Sequence, residues 1–199
     1  MKAKPLFIVM SAPSGCGKST LIDMILQEYC DIVYSISCTT RAPRGEEEDG
    51  LDYHFLTKER FEELLAQDAF IEHAKVHDNY YGTLKAPIRE VLAEGNSMIL
   101  DIDVQGAAKV REYVKSLPNN DPMKIGYVDI FINPPSLEEL RARLVGRGTD
   151  SPEVIERRLV NAEGEMQRAG EYMFQVTNDD LSIAYKRLCD LIDALSGRM

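Results

Sequence analysis

The run Ala12-Pro13-Ser14-Gly15-Cys16-Gly17-Lys18-Ser19-Thr20 has the residue types and spacing of a polyphosphate cradle, departing from the usual pattern only in Ala12 at the first glycine position. Polyphosphate must be held without bulky side chains. Gly15 and Gly17 let backbone amides close around a β-phosphate, a following helix adds its positive end, Lys18 reaches the β- and γ-phosphates, and Ser19 offers a hydroxyl to Mg²⁺. Cys16, beside Lys18 at a helix start, is expected to favour its thiolate and to react fastest of the four cysteines; the competing reading is a small filler whose sulfur turns away. A second candidate is Ser97-Met98-Ile99-Leu100-Asp101-Ile102-Asp103, an apolar run ending in two carboxylates that point to one side if the strand continues that far. One of them is expected near Mg²⁺. Seven of the 13 arginines fall in two places, Arg41 with Arg44, then Arg141, Arg143, Arg147, Arg157 and Arg158. The guanidinium fork suits phosphate oxygens, and phosphoryl transfer rests on positioning and on neutralising spread negative charge. The first pair is assigned to an acceptor phosphate and the second group to the transferring one, with plain surface pairing to Glu138, Glu139, Glu153 and Glu156 expected for some of the five.

These residues need a frame, and the hydrophobic pattern supplies one. Leu6 to Met10 is a continuous apolar run, as in a strand buried on both faces, followed by the Gly-rich turn and a helical periodicity at Leu21, Ile22, Ile25 and Leu26. The alternation recurs: a strand over Ser97–Leu100, a helix over Ala107–Val114, a strand over Tyr127–Ile132, and a helix opened by the capping box Ser136-Leu137-Glu138-Glu139. A strand at Phe174–Thr177 and a terminal helix with Leu181, Ala184, Leu188, Leu191 and Leu195 on one face complete it. Strands alternating with helices imply a parallel sheet covered on both faces, an α/β fold whose ligands bind beyond the carboxyl ends of the strands. Residues 38–89 break the rhythm with charged, turn-rich sequence, a helical piece at Lys58–Ala66 and the apolar segment Phe70-Ile71-Glu72, and read as an inserted subdomain. The core is then 1–37 with 90–199. The stretch about 143–158, where Gly146 and Gly148 flank Arg147, reads as a mobile lid.

The 199 residues carry 23 Lys+Arg against 33 Asp+Glu, a net charge of −10, so the surface repels nucleic acid and anionic lipid and any phosphate chemistry must use local cationic pockets. No apolar window approaches the ~20 residues that span a bilayer. The cysteines show neither a CxxC pair nor zinc-ligand spacing with His54, His73 or His77, so a reduced, cytoplasmic protein without structural metal is expected.

Several stretches in register carry a resemblance: Ser-Ala-Pro-Ser-Gly-x-Gly-Lys-Ser at 11–19, Ser37-x-Thr39-Thr40-Arg41-x-Pro43-Arg44, Asp52-Tyr53, Phe70-x-Glu72, Asn79-Tyr80-Tyr81-Gly82-Thr83, Leu100-Asp101-Ile102-Asp103-x-Gln105-Gly106 and Gly146-Arg147-Gly148-Thr149. Together they resemble the guanylate kinases over nearly the whole chain. The resemblance implies a P-loop nucleoside monophosphate kinase fold with a GMP-binding insert and a lid, and Mg²⁺-dependent transfer of the γ-phosphoryl of ATP to GMP. It puts the GMP phosphate on Arg41, Arg44, Tyr53 and Tyr81, and the guanine near Ser37, Glu72, Thr83 and Asp103. Guanine presents N1–H beside an exocyclic amine, a donor pair that one carboxylate such as Glu72 accepts and adenine cannot offer. Lys18, Ser19 and Asp101 then serve ATP and Mg²⁺, Arg143, Arg147 and Arg158 close over the transferring phosphoryl, and Asn178 lies near the adenine. Gly45-Glu46-Glu47-Glu48 departs from the family's usual Gly-Glu order, and Cys38 stands where the family often has serine or histidine. The rivals are a non-catalytic protein-binding relative, against which Gly17, Lys18 and Ser19 argue, and a kinase for another monophosphate, against which Glu72 and the 80–83 segment argue.

Overall fold

The computed structural model describes residues 3–146, 148 and 150–198. In chain order the elements are β1 (Phe7–Ser11), α1 (Lys18–Glu28), β2 (Ile32–Tyr34), β3 (Cys38–Thr39), β4 (His54–Phe55), α2 (Lys58–Ala66), β5 (Phe70–Val76), β6 (Asn79–Leu84), α3 (Lys85–Ala93) and β7 (Ser97–Asp101). Then come α4 (Val104–Ser116), α5 (Pro122–Gly126), β8 (Tyr127–Asn133), α6 (Leu137–Gly146), α7 (Pro152–Gln167), a 3-10 turn at Ala169–Glu171, β9 (Phe174–Thr177) and α8 (Leu181–Ser196).

Five strands form one parallel sheet in the order β2-β7-β1-β8-β9. The side-chain period of two sorts the central strand into two cores. Leu6, Ile8 and Met10 join Leu21 and Ile25 of α1, Leu140 of α6, Leu159 of α7 and Leu188 of α8 on one face. Phe7 and Val9 join Ile88 and Leu92 of α3, Val110 of α4 and Met123 of α5 on the other. That is why the apolar run reads as continuous: neither face of β1 meets water. Of the residues expected on the buried face of the terminal helix, Ala184 and Leu188 are fully enclosed, whereas Leu181 is 40% exposed at its first turn.

The insert region forms a second sheet in the order β4-β3-β6-β5, antiparallel except for β3–β4. Its small core is aromatic, with the Phe61 ring of α2 stacked between Phe70 at 4.3 Å and Tyr80 at 5.1 Å. Cys38 is buried in that core, and burial pushes its thiol up to about 11. Among the described residues, no helix is long and apolar enough to cross a membrane.

Two local expectations change. β7 stops at Asp101, so Asp101 and Asp103 do not share one strand face: Asp103 instead caps α4, its Oδ1 accepting from the amides of Gln105 (3.0 Å) and Gly106 (2.7 Å). A carboxylate just past a strand satisfies two otherwise unpaired helix amides there, which outweighs another strand residue. At α6 half of the capping box forms. The Glu139 amide donates to Ser136 Oγ at 3.1 Å, but the Glu139 carboxylate pairs with Arg143 one turn on.

Candidate active site

The phosphate loop leaves the carboxyl end of β1 and turns into α1 through two glycines in the left-handed region, Gly15 at φ 99° and Gly17 at φ 79°. A side chain at Gly17 is excluded twice over, by that φ and because a Cβ would sit 2.6 Å from Asn178 Nδ2. Asn178, expected beside adenine, is buried beneath the loop and its Nδ2 donates to the Cys16 carbonyl at 2.8 Å. The loop is thus braced from the end of β9. Residues 12–20 with 101–103 and Glu165 line a cavity of about 460 Å³. Inside it, Lys18 Nζ pairs with the Asp101 carboxylate, while Ser19 is exposed at the start of α1.

Cys16 is only 1% exposed and packs with the core of β1 and α1, so the expectation of a reactive thiolate is not met. Its carbonyl accepts the bond that braces the loop. Among the cysteines Cys30 is the exposed one.

At the second sheet the acceptor candidates gather from strands far apart in sequence. Arg41 follows β3, is 9% exposed, and lies over the rings of Tyr53 at 5.3 Å and Phe55 at 5.9 Å. The ring of Tyr81, from β6, meets that of Tyr53 edge-on at 6.1 Å. The carboxylate of Glu47 engages Arg41 as a fork at 2.8 and 2.9 Å, and these bonds raise the guanidinium's proton affinity further. Arg44 is exposed beside it and Ser37 is half-buried just before β3. Glu72 on β5 is 9% exposed and accepts from Thr83 Oγ1 of β6 at 2.8 Å; burial lifts its carboxyl above the usual carboxylate range. The two ends share a wall. A methyl at Gly106 would touch both Asp103 Oδ1 and Glu72 Oε2 at 3.4 Å, and Asp103 also lines the phosphate cavity.

The second arginine group separates. Arg141 pairs with Glu156, a surface ion pair. Arg143 bonds the carbonyls of Asn178 (2.9 Å) and Asp179 (3.3 Å) as well as Glu139. Arg158 reaches the loop itself, donating to Ser14 Oγ at 3.2 Å with Asp150 at 3.5 Å behind it. Arg157 is exposed on α7, and Arg147 lies outside the described residues. Two residues were missed from the sequence. Glu165 follows Arg158 by seven, two helical turns, and so shares its face; Glu47 lies three past Arg44, a turn spacing hidden in a run of acids.

A family model described as Guanylate kinase matches residues 3–195. The chain belongs to the guanylate kinase family. It is 44% identical over 183 residues to the guanylate kinase of Clostridium perfringens strain 13, covering 92% of this chain and 80% of that one. It is 47% identical over 186 residues to that of Neisseria meningitidis serogroup A, covering 94% and 86%. The crystal structure of guanylate kinase from Anaplasma phagocytophilum superposes with a TM-score of 0.73 at 32% identity, covering all of this chain and 89% of that one. The fold is that of the P-loop nucleoside monophosphate kinases.

Proposed function

We propose how this guanylate kinase family member carries out the reaction of its family, ATP + GMP to ADP + GDP. Residues 12–20 hold the triphosphate through backbone amides and the N-terminus of α1, with Lys18 on the β- and γ-phosphates. Ser19 and Asp101 offer hard oxygen donors at one side of the same cavity, a donor set that fits Mg²⁺. Held by these two residues, the ion would supply charge neutralisation at the phosphate oxygens. Lys18 exchanges its ion pair with Asp101 for the phosphates, and the Asp101 carboxylate so released would, with Ser19, hold the ion.

The insert of residues 38–89 binds GMP: Arg41, Arg44, Tyr53 and Tyr81 take its phosphate, while Ser37, Glu72, Thr83 and Asp103 take its base. Thr83 already fills one lone pair of Glu72 Oε1, leaving the remaining oxygen positions for the two guanine donors. No general base is needed, because the attacking phosphate oxygen is already anionic and catalysis is alignment with charge neutralisation. Arg143, Arg147 and Arg158, on a lid of about 143–158, close over the transferring phosphoryl and keep water from it. Asn178 contributes by bracing the loop beside the adenine.

The observation that carries this reading is the shared wall at Asp103, which lets a donor held by the loop meet an acceptor whose base is read by Glu72. A coupled assay of ADP formation with ATP and each of GMP, dGMP, AMP, CMP and UMP tests it. Turnover with GMP and dGMP alone is the expected result. Turnover with another monophosphate, or none with any, defeats it, the latter in favour of a protein-binding role.

A further inference from the structure

Arg41 cannot choose its own direction. A guanidinium has five N–H donors arranged along its edges, and it takes an anion well only if one two-donor edge is aimed at it. Here Nη1 donates to the Ala42 carbonyl at 2.7 Å and to Glu47 Oε2 at 2.8 Å, and Nη2 donates to Glu47 Oε1 at 2.9 Å. That leaves one N–H on Nη2 and the N–H of Nε, which together form a second two-donor edge, with the Tyr81 hydroxyl as a further polar neighbour of the group. Glu47 Oε2 also accepts from the backbone N–H of Arg44 at 2.8 Å, so the same carboxylate fixes where the second arginine leaves the chain. The rings of Tyr53 and Phe55 fix the plane of the Arg41 guanidinium from its face. Plane from the rings, rotation from the carboxylate: both degrees of freedom are set before any ligand arrives.

We propose that Glu47 is a positioning residue for the acceptor phosphate, turning the Nε/Nη2 edge of Arg41 and the main chain of Arg44 toward the incoming monophosphate. The inference rests on the reading of Arg41 and Arg44 as the acceptor anchor. It makes an unusual sign prediction. A carboxylate close to a phosphate dianion repels it, so by charge alone the removal of Glu47 tightens GMP binding. Positioning demands the reverse, because a loosened guanidinium must be reordered by the ligand itself.

The test measures KM and kcat for both substrates, and GMP affinity by calorimetry, in Glu47→Gln, Glu47→Asp, Arg41→Lys and the double variant Arg41→Lys/Glu47→Gln. Glu47→Gln turns an amide N–H₂ toward an Arg41 or Arg44 N–H donor, while Glu47→Asp keeps the charge but falls a methylene short of holding both partners. In Glu47→Gln the expected result is a rise of at least about tenfold in KM and Kd for GMP, with kcat within about threefold and KM for ATP unchanged. Glu47→Asp should fall between wild type and Gln. A purely structural role would instead lower thermal stability and affect both substrates alike. In the Arg41→Lys background the Gln change should add less than about threefold, since the group it steers is gone. Unchanged or tighter GMP binding in Glu47→Gln, or effects that multiply fully in the double variant, overturns the inference. GMP binding undisturbed by Arg41→Lys overturns instead the assignment of Arg41 to the acceptor phosphate, so the two failures are distinguishable.

Discussion

On the proposed reading, the phosphate loop and the small sheet solve the same problem, holding a phosphorylated nucleotide, by opposite means. The loop is contiguous, residues 12–20, built from backbone amides and a helix end, and locked to the main core through Gly15, Gly17 and the buried Asn178. The small sheet gathers side chains spread from Arg41 to Thr83, on and beside strands as short as two residues, around an aromatic core of its own, with Ser37 just before it and Asp103 meeting it from the start of α4. Backbone donors survive every substitution except proline but tolerate almost no change of shape. Side chains read chemistry finely but need partners that hold them still: Glu47 accepts from Arg41, and Thr83 donates to Glu72. Under that proposal, contacts common to any nucleoside triphosphate come from the rigid half, and discrimination between bases comes from the assembled half.

Four experiments break or sharpen that contrast. The largest effect is expected at the loop's charged side chain: Lys18→Ala should lower kcat at least ~10³-fold by removing the cation assigned to the transferring phosphates. Steady-state turnover with an unchanged circular dichroism spectrum checks it. Next, Glu72→Gln should reduce kcat/KM for GMP about 10²-fold while leaving KM for ATP alone, because the amide sets a donor against a guanine donor in a buried site. A loss below tenfold, under about 1.4 kcal/mol, removes Glu72 as the base reader.

Glycine substitutions then compare the two regions directly. Gly17→Ala adds left-handed strain and drives Asn178 off the Cys16 carbonyl, a combined loss of about 2–3 kcal/mol in denaturant unfolding. Gly45→Ala in the small-sheet turn, at φ 58° with nothing within 4 Å, should cost only the strain, about 1 kcal/mol. Equal losses would mean that the loop is not braced as described.

The smallest effect is in the pH profile. Burial raises the Glu72 carboxyl, so the folded chain binds its proton at a higher pH than the unfolded chain does. Between those two values stability declines as pH rises, and at neutral pH the ionised group is a net burden on the fold. Glu72→Gln should therefore melt no lower than wild type at neutral pH, by calorimetry, despite its lost activity. Function runs the other way: kcat/KM for GMP falls as pH drops through the raised value, since a protonated carboxyl accepts from one guanine donor less well. That acid limb should vanish in the Gln variant.

Much of this was legible without coordinates. The phosphate loop, the strands at β1, β7, β8 and β9 and the helix at Lys58–Ala66 follow from local patterns, because their defining residues are neighbours in sequence or repeat with a helix or strand period. The mistakes have a common cause. Cys16 looks reactive by its neighbours in sequence, yet its side chain points into the core beneath the loop. Asp103 looks like the partner of Asp101 until a helix start claims it. Glu47 is anonymous within Glu46-Glu47-Glu48, and only the fold of the turn selects which of the three meets Arg41.

What the sequence determined by itself, then, was the chemistry available and its order along the chain: a cradle for phosphate, carboxylates at a strand end, arginines in two groups. Tertiary structure decided which of those groups face one another. Residue type and short-range spacing fix backbone conformation over a few residues, but the direction of a side chain and the partner it finds depend on packing between segments tens of residues apart. The pairing of Glu72 with Thr83 across two strands, Asn178 under a loop 162 residues earlier in the chain, and the shared wall at Gly106 are all of that kind.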